Sequence, residues 1–370
     1  MNMRKIAFLL GGVEISGGIN VIFQHAMQLA EKGYDISFIT NRQVYPEDIK
    51  WHPIYNYIKQ KENCRISWYT YNELGSISFD IAIATWWRTF FNLWKVNAAS
   101  YLYFVQSIES RFYSAQEVAL RSVVDSTYEL ELGYITECKW ISQYLLENYQ
   151  HEVPIALNGI DKTIFNQEGV SLSNREDDRL RVLIEGPIDV HFKNVPNTIK
   201  LVNQSRVNES WLLTSSDVNV MNGVDKVFSR IPMQHTATIY RSCDVIIKLS
   251  LVEGMFGPPL EMFHCGGTCI VYNVTGHDEY VRHQDNGIVV RTNDENEVVR
   301  YLNELHEHRE LLNKLKEGAV RTATDWPDWI SSNNMFEKAL VAATNHSRVD
   351  HQLLKRISRR IWHIYENRNY

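Results

Sequence analysis

The chain has 370 residues and a formal net charge of −6, with 22% charged and 44% hydrophobic residues. This length predicts two domains, each able to bury its own core, and the composition excludes disordered, collagen-like and low-complexity proteins. The negative charge argues against a protein that coats nucleic acid, so we expect no nucleic-acid partner. The odd number of widely spaced cysteines, five in all, is typical of a reducing compartment and favours a cytoplasmic location.

The first half of the chain alternates short apolar runs with helical stretches. The apolar run at 6–10 predicts a buried strand, because it is too short for a signal peptide and ends in glycines. A glycine-bearing turn then leads into a predicted helix over 19–32, which Gly33 ends. Further strands are predicted at 34–40, 81–84, 101–105 and 153–157. Strands that alternate with helices predict a parallel sheet with crossover helices, which is a doubly wound α/β domain.

The second half repeats this architecture after the turn-forming segment Asn158-Gly159-Ile160-Asp161. Strands are predicted at 182–185, 211–214, 245–249 and 268–272, and a long helix from about Glu295 to Thr322. We therefore expect an N-terminal domain over 1–158 and a C-terminal domain over 159–346. The remaining residues, 347–370, are expected to return to the first domain as a helix.

The segment 347–370 has the pattern of an amphipathic helix, with basic residues in the gaps between apolar ones. Its apolar positions are Leu353, Leu354, Ile357, Ile361 and Ile364. Two interpretations stay open: the helix docks its apolar stripe on a domain, or it lies on an anionic membrane surface as a peripheral contact. No run of about 20 apolar residues predicts a membrane span.

The segment 253–261 is the strongest candidate for chemistry. It follows the predicted strand 245–249 and precedes a helix, so its backbone N–H groups and the helix N-terminus can hold a diphosphate. Glu253 and Glu261 lie eight residues apart, where carboxylates can accept hydrogen bonds from sugar hydroxyls. The earlier turn over 11–18 lacks the Gly-x-Gly-x-x-Gly spacing of a dinucleotide site, and Cys265 and Cys269 beside His264 lack further ligands. We therefore expect neither a bound cofactor nor a metal.

The run Glu253-Gly254-Met255-Phe256-Gly257-Pro258-Pro259-Leu260-Glu261 resembles the Glu-(seven residues)-Glu motif of the retaining glycosyltransferases of family 4, which have the GT-B fold. The resemblance implies two doubly wound, Rossmann-like domains that face each other across a cleft. It also implies that Glu253 contacts the donor sugar and Glu261 the ribose, while Gly254, Met255, Phe256 and Gly257 surround the diphosphate. Met255-Phe256-Gly257 displaces the second glycine of the family motif by one position.

Other segments are similar to motifs of the same family. Gly17-Gly18 matches the double glycine of its first loop, which implies a donor contact. After Gly186 the family has an arginine and then a Lys-Gly pair, whereas this chain has Lys193-Asn194 and no arginine. The resemblance implies that Lys193 stabilises the leaving diphosphate and acts catalytically with Glu253. Either His191 or no residue takes the place of the arginine.

Residues of the first domain supply the candidates for the acceptor or sugar site. The segment around Gln106 and Glu109 lacks the family's usual histidine and resembles a subgroup of rhamnose-polymer transferases. Both side chains are candidate sugar or acceptor contacts, with a structural role as the alternative. Trp86, Trp87 and Arg88 follow the predicted strand 81–84, where the aromatic rings either stack on a saccharide or pack in the core.

The resemblance implies a sugar transferase that acts in cell-surface polysaccharide or glycan biosynthesis. Its donor would be a UDP, dTDP or GDP sugar and its acceptor a hydroxyl of a glycan or lipid-linked glycan, with retention of configuration and no obligatory metal. Two alternatives stay open. One is a non-catalytic glycan-binding or scaffolding protein on a decayed GT-B fold, and the other is a nucleotide-sugar epimerase of that fold.

Overall fold

The computed structural model describes residues 4–176 and 178–368, which divide into two compact units. One unit contains the chain up to Gly159 together with the chain from Trp329 onward, and the other is Ile160–Asp328. The first boundary lies one residue from its predicted position. The second differs: residues 329–346, predicted to belong to the second domain, are part of the first unit.

The described part of the first unit contains a six-stranded sheet in the order β3-β2-β1-β4-β5-β6, in which all neighbouring strands are parallel. Its elements up to residue 159 are β1 (Lys5–Leu9), α1 (Gly17–Glu31), β2 (Asp35–Thr40), α2 (Ile54–Gln60), β3 (Ile66–Thr70), β4 (Ser78–Ala84), α3 (Trp87–Phe90), β5 (Asn97–Val105), α4 (Val118–Asp125), β6 (Gly133–Thr136) and α5 (Lys139–Tyr149).

The described part of the second unit repeats this topology, with strand order β12-β11-β10-β7-β8-β9 and parallel pairing throughout. Its elements are β7 (Arg181–Glu185), α6 (Val195–Asn203), β8 (Glu209–Thr214), β9 (Lys226–Ser229), α7 (Met233–Ser242), β10 (Val245–Lys248), α8 (Gly257–His264), β11 (Thr268–Tyr272), β12 (Ile288–Val290), α9 (Glu295–Glu307) and α10 (Arg309–Asp325). The predicted doubly wound α/β architecture is confirmed in both halves.

The central strands form the core of each unit because helices cover both faces of each sheet. Ile6 and Phe8 of β1, and Ile247 of β10, have no exposed surface. Continuous apolar strands of this kind are typical of parallel sheets. In each sheet the strand order reverses between two central strands, β1 and β4 in the first and β7 and β10 in the second. Crevices at such reversals, beyond the carboxyl ends of the strands, are where doubly wound proteins bind ligands.

Two C-terminal helices complete the first unit: α11 (Trp329–His346) and α12 (His351–Arg368). Helix α11 packs on β5, β6 and α1, so its apolar face is buried against the first sheet. The approach is close at Gly133, where an added Cβ would lie 2.2 Å from the carbonyl oxygen of Ala343. This packing explains why residues 329–346 belong to the first unit.

Helix α12 confirms the docking interpretation of the C-terminal segment. Leu354 is buried, and the ring of Trp362 packs against Phe91 with centroids 5.7 Å apart. The Nε2 atom of His351 lies 2.6 Å from the carbonyl oxygen of Trp94. The predicted helix extended to residue 370, but residues 369–370 and the side chain of Ile364 lie outside the described part.

Two predicted elements differ from the structure. Residues 153–157 form a single bridge, from Ile155 to Thr136, because Pro154 has no N–H group to continue a ladder. The helix predicted over 295–322 is two helices, since His308 leaves the helical conformation with φ −115° and ψ 83°. The break lets α9 bury one leucine face and α10 another. Within residues 4–176 and 178–368, none of the helices combines the length and apolarity that crossing a membrane requires.

Candidate functional site

Two loops meet at the carboxyl ends of β7 and β10, where the order of the second sheet reverses. The first loop, 186–194, connects β7 to α6, and the second, 249–256, connects β10 to α8. The N–H group of Leu251 donates to the carbonyl oxygen of Phe192 over 2.7 Å, so the loops are joined directly. The fold thus brings Lys193 and Glu253, sixty residues apart in the chain, into one site.

Lys193 and Glu253 form a close ion pair. The Lys193 ammonium donates to both carboxylate oxygens of Glu253, over 2.8 and 2.9 Å. Burial opposes ionisation of Glu253, but the ammonium groups of Lys193 and Lys248 outweigh it, so the pKa of Glu253 lies below its usual value. Glu253 is therefore a buried, ionised carboxylate at neutral pH, and it can accept hydrogen bonds from sugar hydroxyls.

Lys248 and Glu185 form a second ion pair beside the first. The Lys248 ammonium lies 2.5 Å from Glu185 Oε2 and 3.6 Å from Glu253 Oε1. Burial opposes a charged lysine here, but the two carboxylates outweigh it and raise the pKa of Lys248. The sequence interpretation missed Lys248 and Glu185. Lys248 could have been recognised in the sequence, because it is a lysine at the end of the otherwise apolar strand Val245–Lys248.

Glu261, the fifth of the eight residues of α8, completes the group of carboxylates. Burial raises its pKa to about 7, and the nearby Glu185 adds to the rise, while a hydrogen bond from the Tyr240 hydroxyl and the charge of Lys248 oppose it. Three carboxylates and two lysines therefore share the site. The excess of negative charge is relieved by partial protonation of Glu261 near neutral pH.

The backbone around this group includes two residues with positive φ and is held by side-chain hydrogen bonds. Gly186 has φ +139° and Asn194 has φ 57°, and the Asn194 side chain donates to the Leu249 carbonyl oxygen over 3.1 Å. The Tyr280 hydroxyl holds the Phe256 carbonyl oxygen at 2.6 Å. An added Cβ at Gly257 would meet no atom within 4 Å, so space lies open at the start of α8. A diphosphate can thus approach the N-terminus of α8.

The first-unit candidates gather at the reversal between β1 and β4. Helix α1 begins at Gly17, and the Gln106 amide donates to the Gly18 carbonyl oxygen over 3.3 Å. Trp86 is partly exposed and packs over Gly11, where an added Cβ would lie 2.5 Å from its ring. The exposed Arg88 guanidinium lies 5.3 Å from the centroid of the Trp86 ring. This pair offers an aromatic face and a cation to a ligand.

Trp87 and Glu109 lie in the interior instead. Trp87 has no exposed surface, and its indole N–H donates to the Tyr113 hydroxyl over 3.0 Å, so its ring packs in the core and does not offer a stacking face. Glu109 Oε2 accepts from the Trp87 N–H group and the Tyr103 hydroxyl, each over 2.7 Å. Burial raises the pKa of Glu109 to about 8. The hydrogen bonds of Glu109 fix the turn that carries Trp86.

Metal ligation has no candidate group in the described ranges, where no three His, Cys, Asp or Glu side chains are arranged to hold an ion. The site chemistry of the second unit is that of ammonium groups, carboxylates and backbone N–H groups.

Residues 221–322 match the family model of glycosyl transferases group 1. The matched segment lies within the second unit and contains Lys248, Glu253 and Glu261. No curated protein matches the chain.

Solved structures resemble most of the chain at low sequence identity. Alr3699/HepE from Anabaena, in complex with UDP-glucose, is 14% identical with a TM-score of 0.70, over 92% of this chain and 100% of that one. Sucrose-phosphate synthase from Thermosynechococcus elongatus is 15% identical with a TM-score of 0.71, over 92% and 100%. A glycosyltransferase from Rickettsia africae is 13% identical with a TM-score of 0.68, over 94% and 100%. These similarities identify the fold as GT-B, as the sequence predicts.

Proposed function

We propose that this protein is a retaining glycosyltransferase of family 4, which moves a sugar from a nucleotide-sugar to a hydroxyl of a glycan or lipid-linked glycan. The observation that carries the proposal is the grouping of Lys193, Glu253 and Glu261 at the strand reversal, with both carboxylates inside the segment that matches glycosyl transferases group 1. Alr3699/HepE, a structure of the same fold, is in complex with UDP-glucose.

The proposed reaction uses the site without a protein nucleophile. The bond between the sugar C1 and the diphosphate oxygen breaks, and the acceptor oxygen bonds to C1 on the same face. The acceptor proton passes to the departing phosphate oxygen. Lys193 and the N–H groups near Gly257 stabilise the charge that develops on the diphosphate, which is where such catalysis gains most. Glu253 orients the sugar through its hydroxyls, and Glu261 binds the ribose.

The donor class is tested by thermal shift with UDP, GDP and dTDP and with UDP-glucose, GDP-mannose and dTDP-rhamnose. A ligand at a hundred times its Kd adds about 2.7 kcal/mol of stability, so binding raises the melting temperature. We expect one base to stabilise the wild type and Glu261→Ala to lose that response. Glu317→Ala, an exposed carboxylate on α10, is the matched control and should keep it.

Turnover separates the proposal from its alternatives. With donor and glycan acceptor present, we expect release of the nucleoside diphosphate and a glycoside product of retained configuration by NMR. An epimerase would interconvert nucleotide-sugars without needing an acceptor. A protein that responds to none of the nucleotides contradicts the transferase proposal and favours a glycan-binding protein.

We also propose a cytoplasmic location with peripheral contact to an anionic membrane through α12. Arg356, Arg359 and Arg360 of α12 are exposed. The Arg359 guanidinium lies 4.6 Å from the ring centroid of Trp94. Each basic residue near an anionic surface contributes about 1 kcal/mol of binding free energy. Cys64, Cys243, Cys265 and Cys269, which form no disulfide in the described chain, support a reducing compartment.

Vesicle flotation tests the membrane contact. We expect the wild type to float with vesicles rich in phosphatidylglycerol and not with phosphatidylcholine alone. The triple replacement of Arg356, Arg359 and Arg360 by Gln should abolish flotation. Replacing Arg300, Lys314 and Arg321 of the second unit by Gln removes the same charge elsewhere and should leave flotation intact. Equal loss in both variants contradicts a specific role for α12.

A further inference from the structure

Lys248 is a buried cation for which the proposed reaction has no use so far. It ends β10, a strand whose other residues, Val245, Ile246 and Ile247, are apolar and fully buried. Only 3% of the Lys248 side chain is exposed. A charged group so far from water is retained only when partners compensate it, so its partners indicate its role.

Both partners of Lys248 are carboxylates of the candidate donor site. Strands β7 and β10 are adjacent, with Ile247 opposite Ile184, so Lys248 and Glu185 stand side by side where the strands end. The Lys248 ammonium also lies 4.0 Å from the place of a Cβ at Gly186. Lys248 is therefore enclosed behind the loop, with Glu185 on one side and Glu253 on the other.

Lys193 differs from Lys248 in its access to the outside. Its side chain is 21% exposed, and in this structure it makes both of its short contacts with Glu253. A donor diphosphate brings at least two negative charges and competes with Glu253 for this ammonium group. When Lys193 turns to the diphosphate, Glu253 loses its closest cation while it stays buried. Lys248, 3.6 Å from Glu253 Oε1, is then the remaining ammonium group in contact range among the described residues.

We propose that Lys248 is a positioning residue, which keeps Glu253 ionised and in place when Lys193 engages the donor diphosphate. The proposal rests on the proposed function, because it assigns Glu253 to the donor sugar and Lys193 to the diphosphate. It also accounts for the absence of the arginine that the family has between the positions of Gly186 and Lys193. The second cation comes from the neighbouring strand and acts through Glu253 instead of touching the diphosphate.

This role predicts a selective effect on the sugar. Glu253 contacts the sugar part of the donor and not the nucleoside diphosphate. Lys248→Met, which removes the charge and keeps the length, should weaken binding of the nucleotide-sugar at least tenfold. Binding of the matching nucleoside diphosphate should change less than threefold. A merely structural lysine would instead alter both affinities alike or lower only the melting temperature.

Titration calorimetry measures both affinities, with the pair of ligands that the wild type binds. The pairs are UDP-glucose and UDP, GDP-mannose and GDP, and dTDP-rhamnose and dTDP. Glu253→Gln should reproduce the selective loss, and Lys248→Met should add less than twofold to it in the double variant, since both act through one carboxylate. Lys226→Met, an exposed lysine of β9, is the matched control and should bind both ligands as the wild type does.

A second variant covers the case in which Lys248→Met does not fold. The double variant Glu185→Gln with Lys248→Met removes both partners of the ion pair and leaves no unpaired carboxylate at Glu185. Removing both partners of a buried pair destabilises a protein less than removing one of them. It should show the same selective loss. An equal loss for sugar and nucleotide, or a full additional loss in the Glu253→Gln background, overturns the role of Lys248. Wild-type protein that binds none of the pairs overturns the proposed function itself.

Discussion

The stability of Glu261→Gln relative to the wild type should increase as the pH rises, because the wild type holds a carboxylate where burial disfavours its charge. The pKa of Glu261 in the folded protein is about 7, against an ordinary value of 4.5, through burial first and the nearby Glu185 second. Between these values the folded state binds more protons than the unfolded state, so wild-type stability falls as pH rises. Glutamine resembles the protonated carboxyl group and cannot ionise.

The magnitude follows from the size of the shift. One pKa unit corresponds to about 1.4 kcal/mol, so ionisation of Glu261 costs the folded protein about 3 kcal/mol well above pH 7. About 2 kcal/mol of this accrues between pH 5.5 and pH 8. For a unit of this size each kcal/mol shifts the melting temperature by about 2–4 °C. The melting temperature of Glu261→Gln relative to wild type should therefore rise by about 4–8 °C over this interval.

Scanning calorimetry of wild type and Glu261→Gln at pH 5.5, 6.5, 7.2 and 8 measures this difference. Other shifted groups, such as Glu109 with its pKa of about 8, titrate equally in both proteins and cancel. The hydrogen bond from Tyr240 is already part of the pKa of Glu261, and the fixed difference between an amide and a protonated carboxyl group gives an offset that does not change with pH. Glu317→Gln, on the surface of α10, should show a constant difference. A pH-independent difference for Glu261→Gln would refute the reasoning.

Three further predictions concern single residues. Lys193→Met should lower kcat by about a hundredfold or more with the fold retained, because one hydrogen-bond donor at the developing charge contributes that much to the rate. An unchanged rate in single-turnover assays would exclude a role of Lys193 in stabilising the leaving diphosphate. Trp86→Ala should raise the acceptor KM while the donor Kd by calorimetry stays constant, whereas Trp94→Ala, on the face covered by α12, should leave the acceptor KM unchanged. Gly133→Ala should destabilise the first unit by about 1–3 kcal/mol or more in urea unfolding, because its Cβ meets the Ala343 carbonyl oxygen; a midpoint equal to that of wild type contradicts the docking of α11.

Local patterns explain which site residues could be predicted. The apolar strand before 253–261 indicates Glu253 and Glu261, whereas Lys193 is implied by the family resemblance alone. Lys193 and Glu253 lie in the loops after β7 and β10, and parallel strands place such loops at one edge of the sheet. The pairing of Lys248 with Glu185 depends on the register of β10 against β7, across 63 residues of chain. No sequence pattern within either strand specifies the register between them.

Burial determines which candidate residues of the first unit are accessible to a ligand, and the sequence does not show the burial of each residue. Trp86 and Trp87 are neighbours with the same chemistry, yet the turn after β4 leaves one ring partly exposed and directs the other into the core. The same limit applies to the predicted helix over 295–322, whose leucines fit one continuous stripe. Only the packing of α9 and α10 on different neighbours shows that the chain breaks at His308.

The charge balance of the candidate site connects its stability to its proposed chemistry. In this structure the charges of Lys193, Lys248, Glu185 and Glu253 all have partners, and Glu261 is partly protonated near neutral pH. In the proposed binding mode a donor diphosphate replaces Glu253 as the partner of Lys193, whose side chain reaches solvent. In the proposed role, the lysine behind Glu253 keeps this carboxylate ionised and in place for the sugar hydroxyls after Lys193 has turned to the diphosphate. A buried cation without access to the diphosphate can therefore affect how well the sugar part of the donor binds.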